Sequence, residues 1–153
     1  MFLGEWCKKY SRRGRLVGIQ HETIPYHWED RIKFQKDEIY LQELHEDLLQ
    51  RMHVILNNYH QTNYSSKYWR TVIGPWLSIF IPSVFDRWEC LTAAINLHDY
   101  EAISLNNNIA RDLIRPDYYS SALSLQEDEW NYCLYSDIIK KRFMNGQYHA
   151  NTS

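Results

Sequence analysis

Glycine and cysteine are scarce in this chain of 153 residues, and their scarcity excludes several kinds of site. The five glycines, at positions 4, 14, 18, 74 and 146, cannot form a GxGxxG fingerprint or a GxxxxGK[ST] phosphate loop. The three cysteines are odd in number and have no CxxC spacing, which argues against a disulfide framework and a zinc site. We therefore expect no complete nucleotide-binding motif, no metal and no resident cofactor, and a reducing, cytoplasmic location fits best.

Other catalytic signatures are incomplete. His21 and His45 each begin an HExxH pattern, but Pro25 and Leu49 stand where the second zinc-binding histidine belongs. No GxSxG nucleophile motif is present. The sequence by itself therefore assigns no catalytic residue.

Strong net charge and long apolar runs are also missing. The formal net charge of −2 disfavours a nucleic-acid partner. The fourteen residues 72–85 are uncharged, but a bilayer crossing needs ~20 apolar residues, and this run includes two prolines. We expect this run to be buried in protein and to form no transmembrane segment. The basic residues of 8–15 allow peripheral contact with the inner face of a membrane.

The apolar pattern predicts a mainly helical domain. The longest predicted helix covers residues 28–58, where apolar side chains recur at steps of three and four. A second helical region begins near residue 65 and continues to residue 97, and Gly74-Pro75 should divide it into two helices. A third region follows Pro116-Asp117, and a last helix is predicted for residues 125–143.

Three short apolar segments are predicted to be strands: residues 1–6, 16–19 and 101–105. The expected fold is therefore mainly α with a few short strands. We expect a single domain over residues 1–145 and a disordered tail over residues 146–153. Strands without neighbours would expose backbone groups, which favours self-association.

Candidate site residues are polar side chains that stand among aromatic ones. They are His27, Asp30 and Arg31 before the long helix, His60 and Tyr64 after it, and then Arg70, Asp86 and Arg87. One interpretation is a buried clamp, in which Arg70 pairs with Asp86 or, as the next choice, with Asp30. The other is a cleft whose arginines and histidine bind a phosphate or a sugar hydroxyl. The two interpretations are compatible.

Several blocks of the sequence carry a family resemblance. They are FLGEWCKKYSR, PYHWEDR, IYLQELHEDLL, NNYHQTNYSSKYWRTVIGPWL, FDRWE and QEDEWNYCLYS. In this order and spacing they resemble the N-terminal part of a family of transferases encoded in bacterial O-antigen and surface-polysaccharide gene clusters. The resemblance extends from Phe2 to about Lys141.

The resemblance implies an incomplete α/β, Rossmann-like N-terminal half of a two-domain, glycosyltransferase-like fold. Members of the family are longer, and a glycine-rich Gln-His-Gly-Gly motif follows later in them. The full enzyme would use a nucleotide-sugar donor and a lipid-linked saccharide acceptor, and this part would face the acceptor and be inactive alone. No catalytic residue is carried over from the family. The alternative is a helical binding or scaffold module without catalytic activity.

Overall fold

The computed structural model describes residues 2–8, 14, 17–18, 20–97, 105 and 113–144, with the side chains of Trp6, Phe143 and Met144 left out. Its α-helices are α1 (Arg31–His60), α2 (Ser66–Leu97), α3 (Tyr118–Ser124) and α4 (Asp128–Ile139). Short 3-10 turns cover Glu5–Cys7 and His27–Glu29, and a π-helical turn, Lys140–Met144, follows α4.

Helix α1 begins and ends with defined caps. The side chain of Asp30 accepts hydrogen bonds from the backbone amides of Ile32 and Lys33, at 2.9 and 3.1 Å. Such a cap satisfies amides that have no partner within the helix. Gln61 ends the helix in the left-handed region, with φ 53°. The predicted long helix is therefore confirmed, although residues 27–29 form a separate 3-10 turn before it.

Helices α1 and α2 form an antiparallel hairpin. The His45 ring contacts the Gly74 carbonyl at 3.3 Å near the middle, and Asn57 donates to the Tyr64 carbonyl at 2.9 Å near the connection. Leu41, Leu49, Leu77 and Ile81 form the buried core between the two helices. The apolar positions of both helices therefore face each other, as their spacing predicted.

The predicted break at Gly74-Pro75 is wrong, because α2 continues through both Pro75 and Pro82. A proline inside a helix costs about 3 kcal/mol through one lost hydrogen bond and a steric clash. Trp69 and Leu77 are buried on either side of Pro75. Burying a side chain of this size contributes about 1.5–3 kcal/mol, so packing against α1 offsets the proline.

A second core joins α2 to the C-terminal part of the described chain. Leu91 of α2 packs against four buried residues of α4: Trp130, Leu134, Ile138 and Ile139. The helix predicted for residues 125–143 is confirmed over Asp128–Ile139. The helical start after Pro116 is also confirmed, because the Asp117 side chain caps α3 by accepting from the Ser120 amide at 2.8 Å.

The expected strands and the Rossmann-like α/β half are wrong for the described residues, which are mainly helical and form no strand. Phe2 makes a single parallel bridge with Thr23, and the chain then turns into the 3-10 turn Glu5–Cys7. An apolar run this short fits a strand or a packed loop equally well, and one bridge does not propagate into a sheet. Val17 and Gly18 lie in a turn.

The rest of residues 16–19, and residues 101–104 of the third predicted strand, lie outside the described residues. Self-association was expected because strands without neighbours expose backbone groups. The described residues form no strand, so this reason no longer applies, and self-association stays a prediction. The division into a domain over residues 1–145 and a disordered tail also stays a prediction. No helix in the described ranges combines the length and apolarity that a membrane crossing requires.

Candidate functional site

Asp86 is a buried carboxylate at the base of the hairpin, where the uncharged run of α2 ends. Its side chain is 9% exposed. Arg87 Nη1 donates to its Oδ2 at 2.8 Å, and His27 Nε2 donates to its Oδ1 at 3.1 Å. His27 comes from the 3-10 turn before α1, so Asp86 ties this turn to α2. A buried charge needs such partners to offset its desolvation.

Tyr26 and Cys90 complete the surroundings of Asp86. Burial, and then the Asp86 charge, raise the pKa of Tyr26 above its usual range. The Cys90 Sγ lies 4.0 Å from Asp86 Oδ1, and burial followed by the Asp86 charge raises the pKa of this thiol to about 12. At neutral pH both groups are protonated, so Cys90 is not a nucleophile in this arrangement.

Arg87 links the Asp86 carboxylate to the C-terminal helices. Its Nε donates to Asn131 Oδ1 at 3.0 Å, and its Nη2 donates to the Leu125 carbonyl at 3.2 Å. Each of its three nitrogens therefore has a protein acceptor. In this geometry Arg87 stabilises the junction of α2 with α4 and has little capacity left for a phosphate.

Two buried polar atoms in this region have no hydrogen-bond partner among the described groups: His27 Nδ1 and Thr23 Oγ1. Because Asp86 engages His27 Nε2, Nδ1 is the ring nitrogen left without a partner among the described groups. Buried polar atoms without partners are uncommon and often mark a functional position. Both atoms belong to the segment that leads into α1.

A cleft of about 620 Å³ opens beside this buried group. It is lined by Glu5, Thr23, Ile24, Pro25, Tyr26, Glu29, Asp86 and Arg87. Carboxylates and hydroxyls dominate its polar lining, next to the tyrosine ring. Such a surface offers hydrogen-bond acceptors and an aromatic face to a neutral, hydroxyl-bearing ligand.

Comparison with known proteins places the chain in a family. The family model described as LIC12162 family transferase matches residues 1–153. The chain belongs to this transferase family. Neither the curated proteins nor the solved structures contain a match to it. Membership supports a transferase, and with it a donor and an acceptor substrate, but it names neither substrate.

The structure of this LIC12162 family member separates the predicted site residues into two groups. His27, Asp86 and Arg87 lie together at the base of the hairpin. His60 and Tyr64 lie at the opposite end of α1, which is about 45 Å long at 1.5 Å per residue. One small ligand cannot contact both groups. Asp30 caps α1, and Arg31 is its exposed first residue.

Arg70 belongs to neither group, and its predicted pairing with Asp86 or Asp30 is wrong. Its guanidinium forms a two-pronged ion pair with Glu46 of α1, with Nη1 donating to Oε1 at 2.7 Å. The Arg70 side chain is 46% exposed. The antiparallel packing of the hairpin brings Glu46 opposite Arg70, whereas Asp86 lies four turns further along α2.

Three donor groups at the base of the hairpin have a spacing that a metal ion can bridge. A nitrogen of His27, a carboxylate oxygen of Asp86 and the sulfur of Cys90 lie within 4.8 Å of one another. Arg87 already places a positive charge on the Asp86 carboxylate, which disfavours a metal cation beside it. The Cys90 thiol would also have to lose its proton to bind the metal. We assign no metal to this group.

Sequence reasoning missed Tyr26, Cys90 and Glu29 as members of the site. Their positions in the sequence could have indicated them, because Tyr26 and Glu29 lie within two residues of the candidate His27. Cys90 follows Asp86 by four residues, which places both on one face of a helix.

Proposed function

We propose that this chain is the acceptor-facing N-terminal part of a glycosyltransferase that acts in O-antigen or other cell-surface polysaccharide synthesis. The full enzyme would transfer a sugar from a nucleotide-sugar donor to a lipid-linked saccharide at the cytoplasmic face of the inner membrane. Membership of a transferase family supports the reaction class. The resemblance described above supports the sugar chemistry.

The observation that carries the proposal is the chemistry of the cleft. Glu5, Glu29 and Asp86 give the lining a carboxylate character, and Arg87 is engaged by protein acceptors. Carboxylates accept hydrogen bonds from sugar hydroxyls and repel phosphate groups. The Tyr26 ring adds a surface on which a sugar can pack. The cleft therefore suits a saccharide acceptor better than the diphosphate of a donor.

Within the cleft, Glu29 suits the role of a ligand-binding carboxylate better than Asp86. Glu29 is exposed, whereas both oxygens of Asp86 accept from protein donors. Asp86 is a positioning residue, because it fixes the turn that carries Tyr26 and Glu29. Which group removes the proton of the acceptor hydroxyl depends on the donor half, and no catalytic residue is assigned.

Binding of saccharides to the purified chain tests the proposal. Backbone amide NMR shifts are followed while a panel of surface-polysaccharide oligosaccharides is added, and shifts are expected at residues 23–29. Glu29→Gln should weaken binding about tenfold, as expected for loss of a hydrogen bond to a charged group. Glu43→Gln, a change at an exposed position of α1, is the matched control and should bind as the parent chain does.

One observation favours the alternative of a non-catalytic helical scaffold. Both carboxylate oxygens of Asp86 accept from protein donors, Arg87 and His27, as they would in a purely structural clamp. If no saccharide shifts residues 23–29, the scaffold is favoured. If nucleotide sugars bind there and oligosaccharides do not, the cleft is a donor site and the acceptor-facing role is wrong.

A further inference from the structure

The connecting end of the α1–α2 hairpin exposes large apolar side chains. We define the hairpin tip as residues 54–72. Six of its large side chains are between 43% and 79% exposed: Val54, Ile55, Tyr59, Tyr64, Tyr68 and Val72. They come from both helices, and the Tyr64 and Tyr68 rings stack at 4.2 Å between centroids. A cluster of this kind on a protein surface marks a contact with a partner or a membrane.

The charge of this region has one sign. No Asp or Glu occurs between residues 48 and 85. Arg70 is neutralised by Glu46, and Arg51 is paired with Asp47 at 2.9 Å. Lys67 is an exposed basic residue within the hairpin tip. The tip therefore combines exposed apolar and tyrosine side chains with positive charge and no acidic residue.

Asn57 and His53 of α1 hold the backbone of Tyr64 in the connection between the helices. Asn57 Oδ1 accepts from Thr62 Oγ1, the Tyr64 amide and Trp69 Nε1, each at 3.0 Å. Asn57 Nδ2 and the His53 ring contact the Tyr64 carbonyl at 2.9 and 3.1 Å. Backbone groups with internal partners lower the cost of leaving water. These hydrogen bonds therefore reduce the free-energy cost of moving this part of the hairpin tip out of water.

We propose that the hairpin tip docks on an anionic lipid surface. The exposed apolar side chains of residues 54–60 lie within about 9 Å along α1, a shallow layer comparable to the ~5–10 Å to which the apolar face of an interfacial helix is buried. Tyrosine prefers the headgroup level of a bilayer, and Lys67 would contact anionic headgroups. This proposal stands apart from the saccharide cleft and from residues 8–15.

Sedimentation of the purified chain with vesicles tests the proposal. We expect binding to mixed phosphatidylcholine and phosphatidylglycerol vesicles, weaker binding at high salt, and little binding to phosphatidylcholine alone. Each unit of positive charge lost should weaken binding about fivefold. Lys67→Glu changes the charge by two units, so it should weaken binding by at least that factor. Lys36→Glu, at an exposed position near the other end of α1, is the matched control.

The apolar contribution is tested separately. The double variant Ile55→Ser/Tyr59→Ser should lose most of the binding. Ile32→Ser/Ile39→Ser removes side chains that are 67% and 60% exposed on the same helix, far from the tip, and should bind as the parent chain does. Circular dichroism melting of every variant shows whether the fold is retained.

Three results would overturn the proposal. One is absence of binding to both kinds of vesicle, which leaves the tip to a protein partner. Another is equal loss of binding in the tip variants and their controls. The third is normal binding by the tip variants together with loss of binding when Lys8 and Lys9 are changed to Gln, because the contact would then be the basic N-terminal segment.

Discussion

Arg70 shows that the partner of a single side chain depends on the register of the helices that carry it. The sequence pointed to Asp86, the nearest acidic residue that follows Arg70, and passed over Glu46. Once the two helices are antiparallel around residues 61–65, each step back along α1 is matched by a step forward along α2. The contacts of Gln50 with Ser66 and of His45 with Gly74 follow this register. An antiparallel hairpin with a turn at residues 61–65 therefore predicts that Arg70 lies opposite Glu46.

The pKa of Glu46 provides a prediction at this scale. Hydrogen bonds from Arg70, and then its charge, lower the pKa of this exposed carboxyl from 4.5 to about 2. A lowered folded-state pKa stabilises the fold above pH 4.5, and this contribution is lost as the pH falls towards 2. Because water screens an exposed pair, carboxyl NMR titration should give a midpoint for Glu46 below 4.5 in the parent chain, but lowered by less than the full shift.

Two variants separate this ion pair from its surroundings. Arg70→Ala should return the Glu46 midpoint most of the way to 4.5 and change the melting temperature only slightly, because exposed ion pairs contribute little. Arg51→Ala removes the neighbouring pair with Asp47 and should leave the Glu46 midpoint unchanged. A large drop in melting temperature for Arg70→Ala would contradict the exposed position of the pair.

Asp86 marks how far the candidate site could be predicted. Its place at the end of fourteen uncharged residues indicated a buried carboxylate. Arg87 and His27 were among the candidate site residues, but Arg70 was the partner predicted for Asp86. The contact with His27 spans 59 positions in the chain, and no local pattern encodes such a distance. The position of Asp86 in the sequence showed that a buried charge would need partners. Only the packing of the helices shows which residues form those contacts.

Among the elements, long helices were predicted well and short strands poorly. Helix α1 repeats its apolar spacing from Leu41 to Tyr59, so an alternative structure would have to bury a different set of side chains. Phe2 and Leu3 provide no comparable repeat. The break predicted at Gly74-Pro75 was wrong for a different reason. Glycine and proline inside a helix cost only a few kcal/mol, and the packing of α2 against α1 outweighs that cost.

Gly74 provides a prediction at the scale of the helix. It lies inside α2 and is buried, and beyond its two chain neighbours and the adjacent helix backbone an added Cβ would meet the Arg70 Cγ at 3.7 Å, an ordinary contact. Glycine inside a helix costs about 0.5–1 kcal/mol relative to alanine. Pro75 follows directly, and a proline ring disfavours the helical conformation of a preceding residue that has a Cβ. Gly74→Ala should therefore raise the free energy of unfolding by less than that amount in urea denaturation.

Gly18 is the matched control for this change. It has φ +78°, a conformation that strains any residue with a Cβ, although nothing lies within 4 Å of an added Cβ. Gly18→Ala should therefore destabilise the chain or leave it unchanged, and should not stabilise it. Destabilisation by Gly74→Ala would show that crowding by the Pro75 ring outweighs the gain in helix propensity.

At the scale of the whole molecule, the cleft and the hairpin tip lie at opposite ends of α1. The helix is about 45 Å long, so a tip on a membrane would hold the cleft well away from the lipid when the hairpin stands upright. An acceptor anchored in the same membrane would then reach the cleft only as an extended saccharide. If the hairpin instead lies flat, shorter acceptors would suffice. The acceptor length that binds best therefore reports the orientation of the hairpin.

The last prediction is that the purified 153-residue chain transfers no sugar by itself. A nucleotide-sugar donor requires a site for its diphosphate, for which glycine-rich loops or unpaired arginines are typical. The five glycines form no such loop, and two of the three candidate arginines, Arg70 and Arg87, are engaged by Glu46 and Asp86. The cleft also presents carboxylates, which repel phosphate.

Incubation of the chain with a panel of nucleotide sugars and a lipid-linked saccharide acceptor should give no product. A longer family member that includes the Gln-His-Gly-Gly motif is the positive control for the same substrates. Transfer by the 153-residue chain as a monomer, established by light scattering, would show that the donor and acceptor sites are both complete within it. If that activity also survived Glu29→Gln, the cleft would have no part in it, and both the acceptor assignment and the division into two halves would be wrong.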